Sequence, residues 1–162
     1  MRHVLLLALF LVSSQSLGAE FFDGEKAYIR GDFKKAITVF EPLVQRGHSG
    51  AELMTGIMYL RGEGYTANPR AAAVWFYKAA RKGSHSAQLV LGTQRLHGHG
   101  VNRNLVKAYV WLTLALRSPK EGVAERALSF RQDAIRIMTL EEIRLGKKRV
   151  NAWRSAADRF ER

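Results

Sequence analysis

Apolar, small and turn residues recur after 36 positions along the centre of the chain. Segment 51–86 begins "AELMTGIMYLRGEGYTANPRAAAVW" and segment 87–118 begins "AQLVLGTQRLHGHGVNRNLVKAYVW". The structural positions shared at this shift are small residues, turn glycines and large apolar residues, namely Gly56, Gly62, Gly64, Ala72, Trp75 and Ala79 in the first unit and Gly92, Gly98, Gly100, Ala108, Trp111 and Ala115 in the second. Repeats of this length bury their apolar faces by stacking, so the pattern predicts a repeat architecture.

Each unit has the pattern of a helix, a turn and a second helix. The first helix is predicted over 51–60, and a glycine inside it, Gly56, costs about 1 kcal/mol relative to alanine. Its recurrence at Gly92 predicts that the two helices of a unit approach closely. The Gly-x-Gly that follows ends the first helix, because glycine accepts positive φ without steric cost.

The second helix of each unit has a start signal and one apolar face. Asn68 is predicted as an N-cap with Pro69 at the first helical position, and Asn104 repeats the cap. The Ala, Trp and Ala positions that follow lie three and four residues apart, so they share a face. This spacing predicts Trp75 and Trp111 as core anchors.

Flanking segments extend the pattern in both directions. Segment 23–47 is predicted as a divergent unit with a shorter turn, because Ala36 and Gly47 lie 36 residues before their counterparts. Segment 122–162 is predicted as a helical cap that closes the stack. Thr139 and Glu142 form a capping box that opens its last helix, which is expected to reach about Phe160. Its apolar stripe consists of Ile143, Val150 and Trp153.

The recurring residues resemble the Sel-one-like repeat (SLR) family, a relative of tetratricopeptide repeats. The family pattern of Ala, Leu-Gly, Tyr, Gly-x-Gly, an amide or acidic cap and then Ala, Trp and Ala is present twice, with departures at Thr55, Tyr65 and Arg95 and at "RSPKEG". The resemblance implies an all-α, tetratricopeptide-like α/α solenoid of about three helix pairs with a C-terminal cap. It also implies a non-catalytic interaction scaffold without a cofactor. Exported bacterial members resemble adaptors, assembly factors and immunity proteins.

The first 19 residues have the order of a secretory signal peptide. A basic start precedes an apolar run of nine residues, Val4 to Val12, and small polar residues follow. A membrane-spanning helix needs about 20 apolar residues, although a short membrane anchor remains an alternative. We therefore expect residues 20–162 to form one domain in the periplasm, or secreted, without stable membrane insertion. The chain has no cysteine, so no disulfide supports it.

Charge is unevenly distributed along the chain. Lys and Arg number 26 against 14 Asp and Glu, which gives a net charge of +12. Residues 48–120 hold ten of these basic residues and two acidic ones. Such a field favours an acidic protein, anionic lipid or an envelope polyanion, and a merely soluble charged surface is the alternative. Nucleic acid does not suit an exported chain. The basic run "KKR" at 147–149 is either a solvated helix face or part of such a surface.

Two short motifs suggest chemistry that their context does not support. His97 and His99 in "LHGHGV" align with Arg61 and Glu63 of the first unit, so they occupy variable turn positions. A zinc site needs three or four protein ligands, and the sequence places no other histidine beside them, so no metal is predicted. Ser84 or Ser86 in "GSHSA" is predicted as a helix cap rather than a nucleophile, and no catalytic residue is assigned.

The candidate partner-binding residues are non-recurring positions on the first helices, which are expected to line a concave face. They are Glu52, Thr55, Gln88, Gln94 and Arg95. The sequence therefore predicts a periplasmic, non-catalytic protein-interaction scaffold or adaptor with another protein as its partner, and an acidic protein would suit the net positive charge. An immunity protein against a periplasmic toxin and an accessory factor in envelope or polysaccharide assembly remain alternatives. The oligomeric state stays open.

Overall fold

Eight helices and no strand make up the part of the chain that the computed structural model describes, residues 18–160. The predicted signal peptide therefore lies almost entirely outside the described residues. The helices are α1 (residues 18–29), α2 (Phe33–Gln45), α3 (Ser49–Arg61), α4 (Pro69–Arg81), α5 (His85–His97), α6 (Leu105–Ala115), α7 (Val123–Ile137) and α8 (Leu140–Phe160). None of them between residues 18 and 160 is both long and apolar enough to cross a membrane.

The helices pack in sequential order, as an α/α solenoid requires. The largest contacts join α3 to α4 and α5 to α6, and α4 also packs on α5. The all-α solenoid predicted from the repeat is confirmed. Three apolar clusters follow one another along the stack, and the small residues of the repeat lie at their centre, with Ala36, Ala72 and Ala108 all fully buried.

Glycines on the first helices allow each pair to approach closely, as predicted. A Cβ placed on Gly56 would lie 2.6 Å from Cε1 of Phe76, and one on Gly92 would lie 2.6 Å from Cγ of Leu112. Gly24 of α1 faces Phe40 of α2 in the same way. The large residue of each pair therefore recurs at intervals of 36 residues and fits against a glycine in the facing helix.

The tryptophans do not both occupy the core position that their spacing predicted. Trp111 is buried, but Trp75 is partly exposed, and the ammonium of Lys78 lies 3.9 Å from its ring centroid. The fully buried position of each second helix is the next residue, Phe76 or Leu112, so the tryptophan lies about 100° away at the edge of the core in both units. The prediction is wrong for Trp75, whereas Trp111 is buried because α8 covers it through Trp153.

The predicted helix caps are present. Asn68 Oδ1 accepts a hydrogen bond from the Ala71 N–H at 3.0 Å with Pro69 following, and Asn104 and Ser84 cap α6 and α5 in the same way. At the start of α8, the backbone N–H of Thr139 donates to Glu142 at 2.9 Å, and the N–H of Glu142 donates to Thr139 Oγ1 at 3.2 Å. The capping box is therefore confirmed, and local residue chemistry defines these helix starts.

The two glycines of each Gly-x-Gly have separate tasks. Gly62 and Gly98 take left-handed φ values of 75° and 82° and end α3 and α5. Gly64 and Gly100 also have positive φ, but they pack against the preceding unit. A Cβ on Gly64 would lie 3.0 Å from Cβ of Phe33, and one on Gly100 would lie 2.6 Å from the carbonyl carbon of Pro69. Phe33 and Pro69 are 36 residues apart, so the same inter-repeat contact occurs twice.

The C-terminal segment covers the last helix pair. Helix α7 packs on both α5 and α6, and α8 packs on α6. Val150 of α8 is buried, and Trp153 packs against Trp111 with ring centroids 5.1 Å apart. The predicted terminal helix and its contact with the repeats are both present.

Candidate functional site

Four of the five residues predicted to contact a partner are buried. Glu52, Thr55, Gln88 and Gln94 are between 3% and 6% exposed, so the prediction that they lie on the free face of the first helices is wrong. At the 36-residue shift, Gln88 replaces Glu52 and Gln94 replaces the fully buried Met58. These positions differ between units because the core is packed differently in each one.

Glu52 fixes the junction between two units. Its carboxylate pairs with the ammonium of Lys82 at 2.7 Å, and the same ammonium donates to the carbonyl oxygen of Gly47 at 2.9 Å. Helix α4 is thereby tied to the turn before α3. In the next unit the equivalent residue, Gln88, has a different partner and donates its side-chain amide to the carbonyl oxygen of Ala80, in the helix before it, at 3.1 Å.

Replacement of Glu52 tests this structural role. We expect Glu52→Ala to lower the free energy of unfolding by about 2 kcal/mol, because a buried carboxylate is lost and Lys82 is left without its partner. Urea denaturation measures the change, and Lys82→Met alone and combined with Glu52→Ala completes a double-mutant cycle. Partner binding should be unchanged in the single variant below its unfolding transition. Loss of binding by a fully folded Glu52→Ala protein would restore Glu52 as a contact residue.

The fifth residue, Arg95, lines an open cavity of about 480 Å³. We call this the aromatic–basic cavity, and it is bounded by Tyr77, Arg95, Lys107, Val110, Trp111, Arg149, Ala152 and Trp153. The Tyr77 and Trp111 rings meet edge to face with centroids 6.0 Å apart, and Trp153 meets Trp111 at an interplanar angle of 71°. Helices α4, α5, α6 and α8 each contribute to its walls.

The charged residues that line the cavity are all basic. Arg95, Lys107 and Arg149 come from three helices, and none of the lining residues whose side chains the structure describes is acidic. Nη1 of Arg95 donates to the carbonyl oxygen of Asn102 at 3.2 Å, which holds the guanidinium near the cavity wall. In the preceding unit the same position is Tyr59, stacked on Tyr65 with centroids 4.2 Å apart. The departure from the family pattern at Arg95 therefore indicated one residue of this cavity. The sequence did not predict that Tyr77, Lys107 and Ala152 line it.

A second depression follows the N-terminal turns of the first helices. This first-helix groove has a volume of about 380 Å³, and its walls include Phe21 of α1, Leu53 and Met54 of α3, and His85 and Ser86 of α5. It corresponds to the face that the sequence predicted for partner binding, with neighbouring residues in place of the predicted ones. Its charges are mixed, because Glu25, Lys82 and Lys120 all line it.

The two loop histidines lie side by side in an exposed turn. The rings of His97 and His99 are 5.7 Å apart, and His97 meets the edge of Phe130 at 6.2 Å. Within residues 18–160, no group of three or more His, Cys, Asp or Glu side chains could hold a metal ion. The contact with Phe130 of α7 gives His97 a packing role.

His48 makes stability depend on pH. Its Nδ1 accepts a hydrogen bond from the Ala51 N–H at 3.2 Å, which only an unprotonated nitrogen can do. Burial lowers the pKa of His48 below its ordinary value, and the nearby Arg46 guanidinium lowers the pKa further. The unfolded chain therefore binds this proton more tightly, so the stabilisation is complete above about pH 6.5 and is lost as pH falls through the folded-state pKa.

A serine at position 48 should reduce the dependence of stability on pH. The next unit caps α5 with Ser84, so we expect His48→Ser to unfold within about 1 kcal/mol of the wild type at pH 7.5. Below pH 6.5 the variant should lose less stability than the wild type. Burial and the nearby Arg117 also lower the pKa of His85. His85 should therefore keep part of the pH dependence of stability in the variant. Parallel urea curves for both proteins at pH 7.5 and 5.5 check this, and an unchanged pH dependence would contradict it.

Comparison with known proteins agrees with the fold. The Sel1 repeat family matches residues 49–84 and 85–118. The protective antigen c5321 of uropathogenic Escherichia coli, which displays an SLR fold, is similar at a TM-score of 0.75 and 23% identity over 85% of this chain and 29% of that chain. A Sel1 repeat protein of Oxalobacter formigenes is similar at a TM-score of 0.58 and 24% identity, over 72% of this chain and 53% of that one. No curated protein sequence matches this chain.

The matched segments show what kind of repeat the chain contains. Residues 49–118 hold two Sel1 repeats, as their recurring residues indicated, and the chain spans 29% and 53% of the lengths of these two structural relatives. Sel1 repeats indicate a helical-repeat scaffold for protein–protein interaction.

Proposed function

We propose that this chain is a non-catalytic scaffold that binds an acidic protein in the periplasm, to which residues 1–19 direct it. The repeats support the general class, and the charge of the central units supports the chemistry of the partner. Export rests on the sequence of the first 19 residues.

The observation that carries the proposal is how the two acidic residues between 48 and 120 are paired with neighbouring groups. Glu52 is buried against Lys82. The carboxylate of Glu63 accepts a hydrogen bond from the Tyr28 hydroxyl at 2.6 Å and lies 3.9 Å from the guanidinium of Arg61. Both carboxylates are therefore engaged by neighbouring side chains, and most of the basic side chains of this segment are exposed and form no ion pair with the residues that the structure describes. Such a surface attracts acidic partners.

Two alternative roles predict different binding behaviour. An immunity protein would form a stoichiometric complex with one toxin at nanomolar affinity. An accessory factor in envelope or polysaccharide assembly would bind a polyanion, and that binding would fall steeply with salt. Secretion beyond the cell is the alternative location, and fractionation of cells expressing the full chain distinguishes the two.

Affinity capture from envelope extract, at low and at high salt, tests the proposed function. One dominant acidic partner retained at high salt is the expected result. The paired variants are Arg81→Glu with Lys107→Glu in the central units and Lys147→Glu with Lys148→Glu on α8, which change net charge equally. Only the first pair should release the partner. Many partners that all dissociate at high salt, or equal effects of the two pairs, would contradict the proposal.

A further inference from the structure

We infer that the aromatic–basic cavity binds one apolar side chain, preferably aromatic, from an acidic segment of the partner protein, with the flanking carboxylates held by Arg95, Lys107 and Arg149. This inference rests on the proposed function, because it assumes an acidic protein partner. It adds the chemistry of the segment that the partner must present.

The apolar part of the segment is specified by the cavity's aromatic walls. Trp111 is only 7% exposed and forms a buried wall, whereas Tyr77 is 45% exposed and stands at the edge. Trp153 packs against Trp111 from α8. Aromatic side chains pair best in edge-to-face or offset arrangements, and these rings already provide differently oriented faces. A further apolar ring, from the partner, can therefore enter the cavity and lose contact with water.

The acidic part of the segment is specified by three cations on separate helices. Lys107 of α6 and Arg149 of α8 are exposed, and Arg95 of α5 is partly exposed. No ion pair within the described chain engages any of the three. Arginine binds carboxylates through two parallel hydrogen bonds, so the two guanidinium groups favour Asp or Glu on either side of the buried residue.

The dimensions of the cavity suit a short stretch of polypeptide. A volume of about 480 Å³ falls within the range of about 300–1,000 Å³ that is typical of ligand sites. The cavity is open to solvent and is bordered by residues of four helices, so a chain can cross it and insert one side chain. The cations at its border can then contact residues on both sides of the inserted one.

Matched peptides test this inference directly. The probe is a short fluorescein-labelled peptide with several Asp and Glu on both sides of a single Phe, and the control replaces Phe with Ser at identical charge. Fluorescence anisotropy near physiological salt should show the Phe peptide binding at least about tenfold more tightly. A third peptide, with Lys around the Phe, should not bind measurably.

Variants of the cavity locate the binding. Arg149→Glu should weaken the acidic Phe peptide about tenfold or more, whereas its neighbour Lys148→Glu makes the same charge change outside the cavity and should change affinity less than about threefold. Ala152→Trp should fill the cavity and abolish the preference for Phe over Ser. Circular dichroism confirms that each variant is folded.

Two results would overturn the inference. One is equal affinity for the Phe and Ser peptides, which would leave charge alone as the basis of binding. The other is an equal effect of Arg149→Glu and Lys148→Glu. If either occurs while an acidic protein is still captured from envelope extract, the inference fails and the proposed function stands. If no protein is captured at either salt, the proposed function itself fails.

Discussion

Replacement of Gly56 by alanine should destabilise the protein by about 2 kcal/mol, although alanine is the better helix former. The added Cβ would lie 2.6 Å from Cε1 and 2.7 Å from Cδ1 of Phe76, which is fully buried and has no room to move. Overpacking of a core costs about 1–3 kcal/mol, and two contacts this short against a fully buried ring fall at the upper end of that range. The gain in helix propensity offsets about 1 kcal/mol of this cost. Urea denaturation of Gly56→Ala and of the equivalent Gly92→Ala measures the net effect.

A second substitution separates the steric clash from other effects of the added methyl group. Phe76→Ala removes the ring that meets Gly56, so Gly56→Ala should cost less in that background than in the wild type. Leu112→Ala does the same for Gly92, one repeat further along, where the leucine Cγ would lie 2.6 Å from an added Cβ. A stabilised Gly56→Ala protein, or a cost that Phe76→Ala does not reduce, would show that close approach of α3 and α4 is not the reason for the glycine.

Gly100→Ala should lower the free energy of unfolding by about 3 kcal/mol or more, which exceeds the loss expected for Gly56→Ala. Two penalties combine at this position. Its φ of 71° is strained for alanine by about 1–2 kcal/mol. The Cβ would also meet the carbonyl group of Pro69, with the carbonyl carbon at 2.6 Å, and backbone atoms cannot rotate away. The clash would separate the turn of one unit from the start of α4 in the unit before it.

Gly98→Ala is the matched control for this prediction. Gly98 has a similar φ of 82°, but its nearest neighbour to a Cβ is 3.6 Å away. It should therefore show the backbone strain alone, about 1–2 kcal/mol. Urea denaturation of both variants gives the difference, which we expect to be at least about 1 kcal/mol. Equal losses would show that contact between successive units does not constrain Gly100.

Helix starts and the close approach of paired helices were predictable from the sequence, because they depend on a few identifiable residues. Asn68, Asn104 and Thr139 marked helix starts because each can accept a hydrogen bond from a free backbone N–H. Gly56 and Gly92 predicted a close approach because their recurrence opposes helix propensity. These signals depend on neighbours along the chain and on the 36-residue period, both of which are visible in one sequence.

The orientation of individual positions was not predictable in the same way. Glu52 and Gln94 were selected because they differ between units, but a buried position also differs when each layer of the core is filled by different side chains. The prediction for Trp75 was wrong by one position. Its size and recurrence suggested that it is the buried anchor of α4, but the fully buried residue is its neighbour Phe76. The 36-residue period identifies equivalent positions in successive units, but it does not predict which of these positions are exposed to solvent.

The aromatic–basic cavity depends on contacts outside the repeat. Arg149 and Trp153 belong to α8, and the period contains no information on the face of α6 that this helix covers. The sequence flagged Arg95 as a departure and residues 147–149 as a basic run, about 50 residues away. Only the packing of α8 on α6 brings the two together.

An aromatic photocrosslinking amino acid placed at position 77 of the full chain tests the central claim most directly. Tyr77 is 45% exposed and stands at the edge of the aromatic–basic cavity, so the crosslinker replaces one ring by another, leaves the space beside Ala152 open, and should react with a partner seated there. The same amino acid at the exposed position 148 is the control. We expect one discrete crosslinked product from position 77, identified by mass spectrometry as an acidic protein, and none from position 148. No product from position 77, or the same products from both positions, would contradict a protein-binding role for this site.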